Sequence, residues 1–337
     1  MTVAASRGDD NLDPQIRTFI SFLRDRSGRY PALEALPPAE RRRIAEEVRQ
    51  PLTIGGPPVQ HINDYEVQVH DRFIRVRIMN AAPGQNRPVL IFLHGGGWML
   101  FGLDTHDRVM REIAVRADVA VVGIEYSLSP DRQFPTQLDE IQIALKWLLA
   151  RDSDIGIDAG RMAIGGDSAG ANLAVATCLR LRDGGTPHLI SGMLLCYGVY
   201  DGNFDTDSYH RYQDERFNLG RDEMRQYWAS YVGDRANYES PLASPLRANL
   251  GSLPKTFMVI AECDVLHDEN VKMAEKLKSS GVDVCSKIYP GTTHSFLEAV
   301  SMAAVSRQAL ADASVWLRGA LDPPGRRQQP CKVAVKP

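Results

Sequence analysis

Long hydrophobic runs are absent from the sequence. No stretch approaches the roughly 18 consecutive apolar residues that a membrane-spanning helix needs. The amino-terminal segment from Met1 to Asp10 also lacks the apolar run of a secretory signal peptide. We therefore expect no membrane span and a cytoplasmic location.

Cysteine is scarce, and the spacing of the cysteines matches no disulfide or metal-binding motif. The five cysteines are an odd number, and no two of them form a Cys-x-x-Cys pair: Cys178, Cys196, Cys263, Cys285 and Cys331. This pattern argues against a disulfide framework and against a zinc site. Free thiols in a reducing compartment, and no bound metal, are expected instead.

An excess of charge of either sign is also missing. The 39 basic and 42 acidic residues give a formal net charge of −3, which favours neither a nucleic-acid partner nor an anionic membrane surface. No internal repeat is visible. The chain is nevertheless long, and with 337 residues, 44% of them hydrophobic, it can build one large α/β core.

Strand-like and helical segments alternate through most of the chain. Residues Pro88 to Leu93 form a near-continuous apolar run, which is typical of a strand covered by helices on both faces. From there, helix and strand patterns follow one another to about Leu321. The alternation predicts an α/β fold, a mostly parallel central sheet with helices on both faces. The period-two pattern from Tyr65 to Met79 predicts an antiparallel hairpin at one edge.

The first 55 residues precede every predicted strand and carry two helical patterns. Apolar side chains recur at three- and four-residue spacing after Pro14, and a second helix is predicted to follow Pro37-Pro38 and to run through Arg41 to Arg49. A Pro- and Gly-rich connection is expected over residues 51–58. We interpret residues 1–55 as an N-terminal helical cap segment and residues 56–321 as the main α/β domain.

Residues 201–244 interrupt the alternation. The segment is rich in Tyr, Asp, Arg and Asn, and it is too long for a simple connection in a compact sheet. One helix is predicted within it, from Arg221 to Tyr231, and we interpret the segment as a second part of the cap. Residues 322–337 are rich in Pro, Gly and Arg and are predicted to form a disordered tail.

A pentapeptide between a predicted strand and a predicted helix carries the first chemical signal. It fits the pattern Gly-x-Ser-x-Gly, in which a serine stands on a sharp strand-to-helix turn, and reads Gly166-Asp167-Ser168-Ala169-Gly170. Glycines avoid collisions in this strained turn, and the helix amino terminus favours developing negative charge. The pattern predicts Ser168 as a nucleophile. A Gly- and Ser-rich helix cap is the alternative, because short matches also arise by chance.

A second motif directly follows the apolar strand that ends at Leu93, and it reads His94-Gly95-Gly96-Gly97-Trp98. Three consecutive glycines let backbone N–H groups face inward without obstruction by Cβ atoms, as an oxyanion hole requires. A flexible loop is the alternative. Together with the pentapeptide, the motif matches folds in which a loop N–H and the N–H of the residue after the nucleophile form the hole.

A serine nucleophile needs a base, and the base needs an acid that orients it, here in the chain order Ser, Asp or Glu, His. Of the eight histidines, His267 and His294 follow both Ser168 and the predicted cap helix. His294 lies in a loop after the last strand, where sheet ends carry ligands. His267 lies at the start of a helix, and we therefore favour His294.

The candidates for the acid follow the strand that ends near residue 261. Asp264 lies just past the strand end, whereas Asp268 and Glu269 fit the first turn of a helix. Glu262 is the remaining alternative, and it lies nearest the strand. We favour Asp264, which leaves 30 residues before His294, enough for one helix and one strand.

The ordered set of motifs resembles that of the bacterial hormone-sensitive-lipase-like esterases of the α/β-hydrolase superfamily. The segment from Tyr126 to Pro135, which includes Tyr-Ser-Leu-Ser-Pro-Asp and Phe-Pro, is similar to a further conserved segment of that family. The resemblance covers roughly residues 60–320. It implies an α/β-hydrolase fold with a helical cap, in which residues 56–321 are the catalytic domain.

The resemblance also implies a role for each motif residue. Ser168 is the nucleophile, His294 the base and Asp264 the acid that orients it. The implied oxyanion hole is formed by backbone N–H groups of Gly96, Gly97 and Ala169. Support for the two loops is assigned to His94, Gly95 and Asp167.

The sequence departs from the family pattern at two positions. Ser295 stands where the family usually has Gly after the catalytic His, and Val265 stands where it has Pro after the acid. Neither change removes a catalytic group, but both put the local loop geometry in question.

These residues predict a serine carboxylic-ester hydrolase that works through an acyl-enzyme, without a metal or organic cofactor. The resemblance implies short acyl chains on a small-molecule ester, and a homodimer is left open. The same residues are compatible with hydrolysis of amides or peptides and with acyl transfer. A non-catalytic ligand-binding protein on this fold is the alternative from a different class. The alcohol part of the substrate is not readable from the sequence.

Overall fold

The computed structural model describes residues 11–322, which contain an eight-stranded mixed sheet. Its strands are β1 (Ile62–Val69), β2 (Arg72–Met79), β3 (Arg87–Leu93), β4 (Ala120–Ile124), β5 (Ile157–Asp167), β6 (Gly192–Cys196), β7 (Lys255–Ala261) and β8 (Val284–Tyr289). Their order across the sheet is β1-β2-β4-β3-β5-β6-β7-β8. β2 pairs antiparallel with β1 and β4, and every other pair is parallel. The predicted hairpin and mostly parallel sheet are confirmed.

Helices cover both faces of this sheet. The α-helices of the described residues are α1 (Pro14–Ser27), α2 (Pro38–Thr53), α3 (Asp107–Ala117), α4 (Thr136–Leu149), α5 (Asp152–Ile155), α6 (Ala169–Asp183), α7 (Asp207–Tyr212), α8 (Arg221–Val232), α9 (His267–Ser279) and α10 (Ala304–Leu321). α3 and α10 pack together on one face, and α4 and α6 pack on the other. Burial from both sides explains why the central strands are largely apolar, as in β4, where all five residues are buried.

The parallel register brings the carboxyl ends of several strands to one edge of the sheet. Leu93 at the end of β3 pairs with Gly166 near the end of β5, and Ala261 at the end of β7 pairs with Tyr289 at the end of β8. The loops that follow these strands therefore start side by side, where α/β sheets bind ligands. The glycine motif, the pentapeptide and the candidate acid and base all lie in these loops.

The amino-terminal helix is joined to the sheet domain by packing and by a backbone hydrogen bond. Ile16 and Phe19 of α1 are both 0% exposed and belong to the same apolar core as the strands. Asp13, the N-cap of α1, donates its backbone N–H to the carbonyl of Gly291 at 3.0 Å. Gly291 begins the loop that carries His294, so the start of this helix is hydrogen-bonded to that loop.

The second helix is longer than predicted. It continues through Pro51 to Thr53, where the sequence predicted a connection. Proline has no N–H to donate to the carbonyl four residues earlier, which is that of Glu47. Arg26 of α1 supplies the missing donor, because its Nη2 donates to the Glu47 carbonyl at 2.8 Å. The contact between the two helices thus compensates for the proline.

Residues 201–244 contain two α-helices, although one was predicted. α8 matches the predicted helix, whereas α7 was missed. In the first turn of α7, the N–H of Ser208 donates to Asp268 Oδ2 at 2.8 Å. The start of α7 is therefore stabilised by a carboxylate from α9 and has no side-chain cap of its own.

The cysteines differ from the prediction at one position. Cys178, Cys196 and Cys263 are buried free thiols. Cys285 is disulfide-bonded, so the prediction of free thiols is wrong there. Disulfide formation depends on where the folded chain brings two cysteines together, and sequence spacing does not reveal this.

Two further observations concern the described range as a whole. Within residues 11–322, no helix is long and apolar enough to cross a membrane. The same residues contain no group of three or more His, Cys, Asp or Glu side chains that could hold a metal ion. The tail predicted over 322–337 lies outside the described residues except for Asp322.

Candidate active site

Ser168 lies on the turn between β5 and α6. Its backbone has φ 52° and ψ −118°, a conformation that is costly for a residue other than glycine and must be imposed by the surrounding structure. The Ser168 N–H donates to the carbonyl of Cys196, at the end of β6, at 2.9 Å. The turn is thereby held at the carboxyl edge of the sheet, at the amino terminus of α6.

Gly166 and Gly170 are required by the close packing around this turn. A Cβ atom on either residue would collide with the carbonyl oxygen of Leu93, at the end of β3. Because that oxygen belongs to the backbone of a central strand, it cannot move aside as a flexible side chain would. Both glycines of the pentapeptide therefore have a steric explanation.

A chain of hydrogen bonds joins three of the predicted site residues. His294 Nε2 lies 2.9 Å from Ser168 Oγ, and His294 Nδ1 lies 2.7 Å from Asp264 Oδ2. All three residues are buried, and Asp264 is 1% exposed. The second oxygen of Asp264 accepts the N–H of Leu266 at 3.0 Å. The carboxylate is thus held on one side by the backbone and on the other by the imidazole.

The alternative base and acids make other contacts. His267 Nδ1 lies 2.9 Å from the carbonyl oxygen of Ala261, which directs this ring to the end of β7. The alternative carboxylates accept backbone N–H groups at 2.7 to 2.8 Å: Glu262 from Gly291, Asp268 from Ser208 and Glu269 from Tyr200. Their hydrogen bonds are structural, and Glu262 holds the loop that carries His294.

The glycine motif after β3 lies beside Ser168. Gly96 has φ 109° and Gly97 has φ 59°, values that favour glycine. A Cβ atom on Gly96 would collide with the carbonyl of Leu100, and one on Gly97 would collide with the ring of Tyr227. Both glycines line the same cavity as Ser168.

Asp167 and His94 hold the glycine motif in place. Asp167 Oδ1 accepts the N–H of Gly95 at 3.0 Å, which joins the motif to the turn at Ser168. The His94 ring stacks on the ring of Tyr126 with centroids 4.3 Å apart, and the Tyr126 hydroxyl donates to the His94 carbonyl at 2.6 Å. The two loops are therefore connected through buried side chains.

His106, at the start of α3, is a residue of the site that the sequence analysis missed. Its Nε2 lies 3.3 Å from Asp167 Oδ1, and both side chains are buried. Burial lowers the pKa of His106, but the charge and the hydrogen bond of Asp167, together with the charge of Glu298, raise it above the ordinary value. Burial and the charge of His106 together lower the pKa of His94 to about 4. Asp167 therefore favours the protonated form of His106, whereas His94 is neutral at neutral pH.

The pKa of His294 reflects the same two opposing effects. Burial lowers it, but the charge and the hydrogen bond of Asp264 raise it by more, and Asp167 and Glu223 raise it further. The net pKa lies above the ordinary value of 6.5. The site therefore stabilises the protonated imidazole, the form that appears when His294 accepts a proton.

The two departures from the family pattern leave these contacts in place. Ser295 has φ 61°, a left-handed conformation that glycine adopts at lower cost. Val265 is buried, and its carbonyl accepts the Ser208 hydroxyl at 2.7 Å. The hydrogen bonds of Asp264 and His294 form despite both changes.

The cavity at Ser168 has walls from the amino-terminal helices and from residues 201–244. Arg49 of α2 lines it from one side, and Met224 and Tyr227 of α8 line it from another. Asn218, just before α8, donates its Nδ2 to the carbonyl of His294 at 3.1 Å. The segment 201–244 is thus hydrogen-bonded to the loop that carries the candidate base.

Comparison with known sequences gives two independent matches. A family model described as the alpha/beta hydrolase fold matches residues 90–298. A protein of Acanthamoeba polyphaga mimivirus that is named as an alpha/beta hydrolase is 30% identical over 298 residues, which are 85% of this chain and 81% of that protein.

Solved structures of esterases match nearly the whole described chain. EstE1, a thermostable carboxylesterase cloned from a metagenomic library, is 31% identical with a TM-score of 0.82, covering 86% of this chain and 99% of its own. A thermostable esterase from Pseudomonas putida is 29% identical with a TM-score of 0.86, covering 94% and 99%. A hyperthermophilic esterase from the archaeon Pyrobaculum calidifontis is 28% identical with a TM-score of 0.85, covering 92% and 98%.

The sheet topology, the serine on its turn and these matches define a serine hydrolase with the alpha/beta hydrolase fold. It is an enzyme of the carboxylesterase class, and the non-catalytic alternative is set aside. More narrowly, the chain belongs to the hormone-sensitive-lipase-like family of the alpha/beta hydrolase superfamily. The fold class and the family predicted from the sequence are confirmed.

Proposed function

We propose that the protein hydrolyses carboxylic esters with short acyl chains through Ser168, His294 and Asp264. The observation that supports this proposal most strongly is the hydrogen-bond chain from Asp264 through His294 to Ser168 Oγ, with distances of 2.7 and 2.9 Å. In this scheme Ser168 is the nucleophile, His294 the general base and Asp264 the group that holds the base in one tautomer.

In the first step, Ser168 Oγ attacks the carbonyl carbon of the ester while His294 Nε2 accepts the hydroxyl proton. Asp264 accepts the Nδ1–H, so that the Nε2 lone pair faces Oγ. The same carboxylate stabilises the imidazolium that forms. The raised pKa of His294 agrees with this stabilisation.

Negative charge develops on the carbonyl oxygen during the attack, and we assign its stabilisation to the backbone N–H groups of Gly96, Gly97 and Ala169. The two glycines line the cavity beside Ser168 with positive φ values. Ala169 is the first residue of α6, where helix N–H groups have no intrahelical partner. These positions support an oxyanion hole formed from both loops.

The tetrahedral intermediate breaks down when His294 gives its proton to the leaving alcohol oxygen, and the acyl group remains on Ser168. A water molecule then attacks the acyl carbon while His294 accepts a proton from it. The carboxylic acid leaves, and Ser168 recovers its proton from His294.

We further propose that residues 1–55 and 201–244 act as a cap that limits acyl length over the catalytic domain, residues 56–321. Side chains of α2 and α8 line the cavity with Ser168, and the Tyr227 ring lies against Gly97. Long acyl chains would collide with these walls, whereas short ones would fit beneath them.

A series of p-nitrophenyl esters from acetyl to palmitoyl tests the reaction and the acyl preference together. We expect kcat/KM to be highest for acetyl to butyryl esters and to fall steeply for longer chains. Equal rates along the series would contradict the cap. Hydrolysis of matched p-nitroanilides at comparable rates would favour amide hydrolysis, and ester formation with an added alcohol would favour acyl transfer.

Two properties expected from the sequence stay predictions. A homodimer would be detected by size-exclusion chromatography with light scattering. A cytoplasmic location would be tested by cell fractionation, and the disulfide at Cys285 removes the part of its support that came from free thiols.

A further inference from the structure

The cavity at Ser168 contains a carboxyl group that the proposed mechanism does not use. Glu223, in the first turn of α8, lines this cavity together with Ser168 and His294. Its Oε1 accepts the Tyr227 hydroxyl at 2.6 Å. Among the residues that the structure describes, none places a cationic nitrogen within ion-pair distance of Glu223, whereas the preceding residue, Asp222, pairs with Arg225.

Helix capping explains only part of this arrangement. Glu223 and Gly220 occupy the positions of a capping box, but Glu223 Oε2 lies 3.4 Å from the Gly220 nitrogen, longer than a usual N–H···O bond. The other oxygen receives a neutral phenol, which does not balance a negative charge. The negative charge of Glu223 is therefore available to a cationic ligand in this cavity.

The cationic side chain in the same cavity already has a partner. Arg49 Nε lies 3.2 Å from Glu298 Oε2, and the Arg49 guanidinium lies over the ring of Phe101 at 4.1 Å. Glu298 is only 7% exposed, so its charge needs Arg49. Once this pair is balanced, Glu223 leaves the cavity with an excess of negative charge.

The first turn of α8, which carries Glu223, lies close to the loop that carries the candidate base. The chain just before α8 is held to the base by the hydrogen bond from Asn218 to the His294 carbonyl, 3.1 Å long. In the proposed mechanism His294 protonates the leaving alcohol oxygen, so the alcohol part of the substrate is bound next to this base, in the cavity that Glu223 also lines. The Tyr227 ring beside Glu223 adds an aromatic face, which attracts quaternary ammonium groups.

We propose that Glu223 recognises a positive charge on the alcohol part of the substrate, and that the preferred substrates are short-chain esters of amino alcohols. This inference rests on the proposed hydrolysis at Ser168. It assigns Glu223 as a specificity-determining residue that contacts substrate and takes no part in proton transfer.

The test compares two acetate esters of the same shape, acetylcholine and 3,3-dimethylbutyl acetate. Acetylcholine has a positively charged quaternary nitrogen where the other ester has a neutral carbon. Each kcat/KM is divided by the hydroxide-catalysed rate of the same ester, which removes intrinsic reactivity. We expect the corrected kcat/KM of the wild-type protein to be about ten-fold or more higher for the cationic ester. A factor of about ten is the size expected from one modest charge interaction.

Glu223→Gln removes the charge and keeps an acceptor for the Tyr227 hydroxyl, and we expect it to reduce the preference to near one. Asp222→Asn is the matched control. Asp222 is the preceding residue of α8, its side chain is 85% exposed, and it pairs with Arg225 at 2.8 Å outside the cavity. Asp222→Asn changes the net charge by the same amount as Glu223→Gln, and we expect this control to keep the wild-type preference for the cationic ester.

The inference would be overturned if the wild-type protein showed a corrected kcat/KM ratio of one or less for the cationic over the neutral ester. It would also be overturned if Glu223→Gln kept the same ratio as the wild-type protein. In either case hydrolysis of the neutral ester would still support the proposed function. A folded wild-type protein that hydrolyses neither ester, nor p-nitrophenyl acetate, would refute the proposed function and this inference with it.

Discussion

Asp264→Asn tests the hydrogen-bond chain at its buried end. In the wild-type protein the Leu266 N–H donates to Asp264 Oδ1 at 3.0 Å. Asparagine has the same size as aspartate, and its oxygen can still accept this N–H. Its NH₂ group, however, would face His294 Nδ1, where the carboxylate oxygen lies at 2.7 Å. The amide then donates to Nδ1 and places the imidazole proton on Nε2. Because Nε2 faces Ser168 Oγ at 2.9 Å, this tautomer cannot accept the serine proton.

We expect the substitution to lower kcat by on the order of 10⁴, as in the Ser-His-Asp template. This loss corresponds to about 5.4 kcal/mol of activation free energy. The assay is steady-state hydrolysis of p-nitrophenyl acetate at pH 8, corrected for spontaneous hydrolysis. Far-UV circular dichroism and a thermal melt establish that the variant is folded.

Asp268→Asn is the matched control, because it makes the same chemical change four residues further along. Asp268 accepts the N–H of Ser208 at the start of α7 and makes no contact with His294 that would set its tautomer. We expect it to lower kcat by less than about ten-fold, because the asparagine oxygen can still accept this N–H and only weakens one helix-capping contact. Asp264 would not be the orienting acid if Asp264→Asn kept a kcat within ten-fold of wild type. The same would follow if Asp268→Asn lowered kcat as much as Asp264→Asn.

The remaining predictions concern the nucleophile, the base and the glycine motif. Ser168→Ala removes Oγ, so we expect no ester hydrolysis from a folded variant, and turnover near wild type would contradict the role of Ser168. Burial lowers the pKa of His294, but the carboxylate beside it raises the pKa to a net value above 6.5. Because the base must be neutral, protonation of this one group should lower kcat/KM as the pH drops through a value above 6.5. A pH–rate profile with full activity below pH 5 would refute His294 as the base. Gly97→Ala would place a methyl group against Tyr227 at φ 59°, and we expect kcat/KM to fall by about 10² or more. Gly84→Ala imposes a comparable φ of 83° in open space and serves as the control, with activity retained.

Much of the candidate site could be predicted from the sequence because its chemistry restricts residue types at the ends of strands. Gly166 and Gly170 recur in the motif because any Cβ there would meet the backbone of β3. His294 could be preferred over His267 because only one of them follows a strand end in a loop. These are local constraints, and a single sequence displays them.

Other features depend on contacts between segments that are distant in the chain. Pro51 stays within a helix because Arg26 supplies the missing donor, and α7 starts where a carboxylate from α9 caps it. His106 joins the site only because α3 and the turn at Ser168 meet in the fold. None of these partners lies close enough in sequence to leave a periodic or spacing signal.

The sequence by itself determined the α/β class, the family and the residues of the hydrogen-bond chain, because alternating apolar segments and glycine-flanked motifs have few structural solutions. Only the tertiary structure decided the electrostatics. It set the raised pKa of His106 beside Asp167, the ion pair of Arg49 with Glu298, and the position of Glu223 in the cavity with Ser168 and His294. The physical reason is that charge interactions depend on distance and burial in three dimensions, and residues far apart in the chain create both.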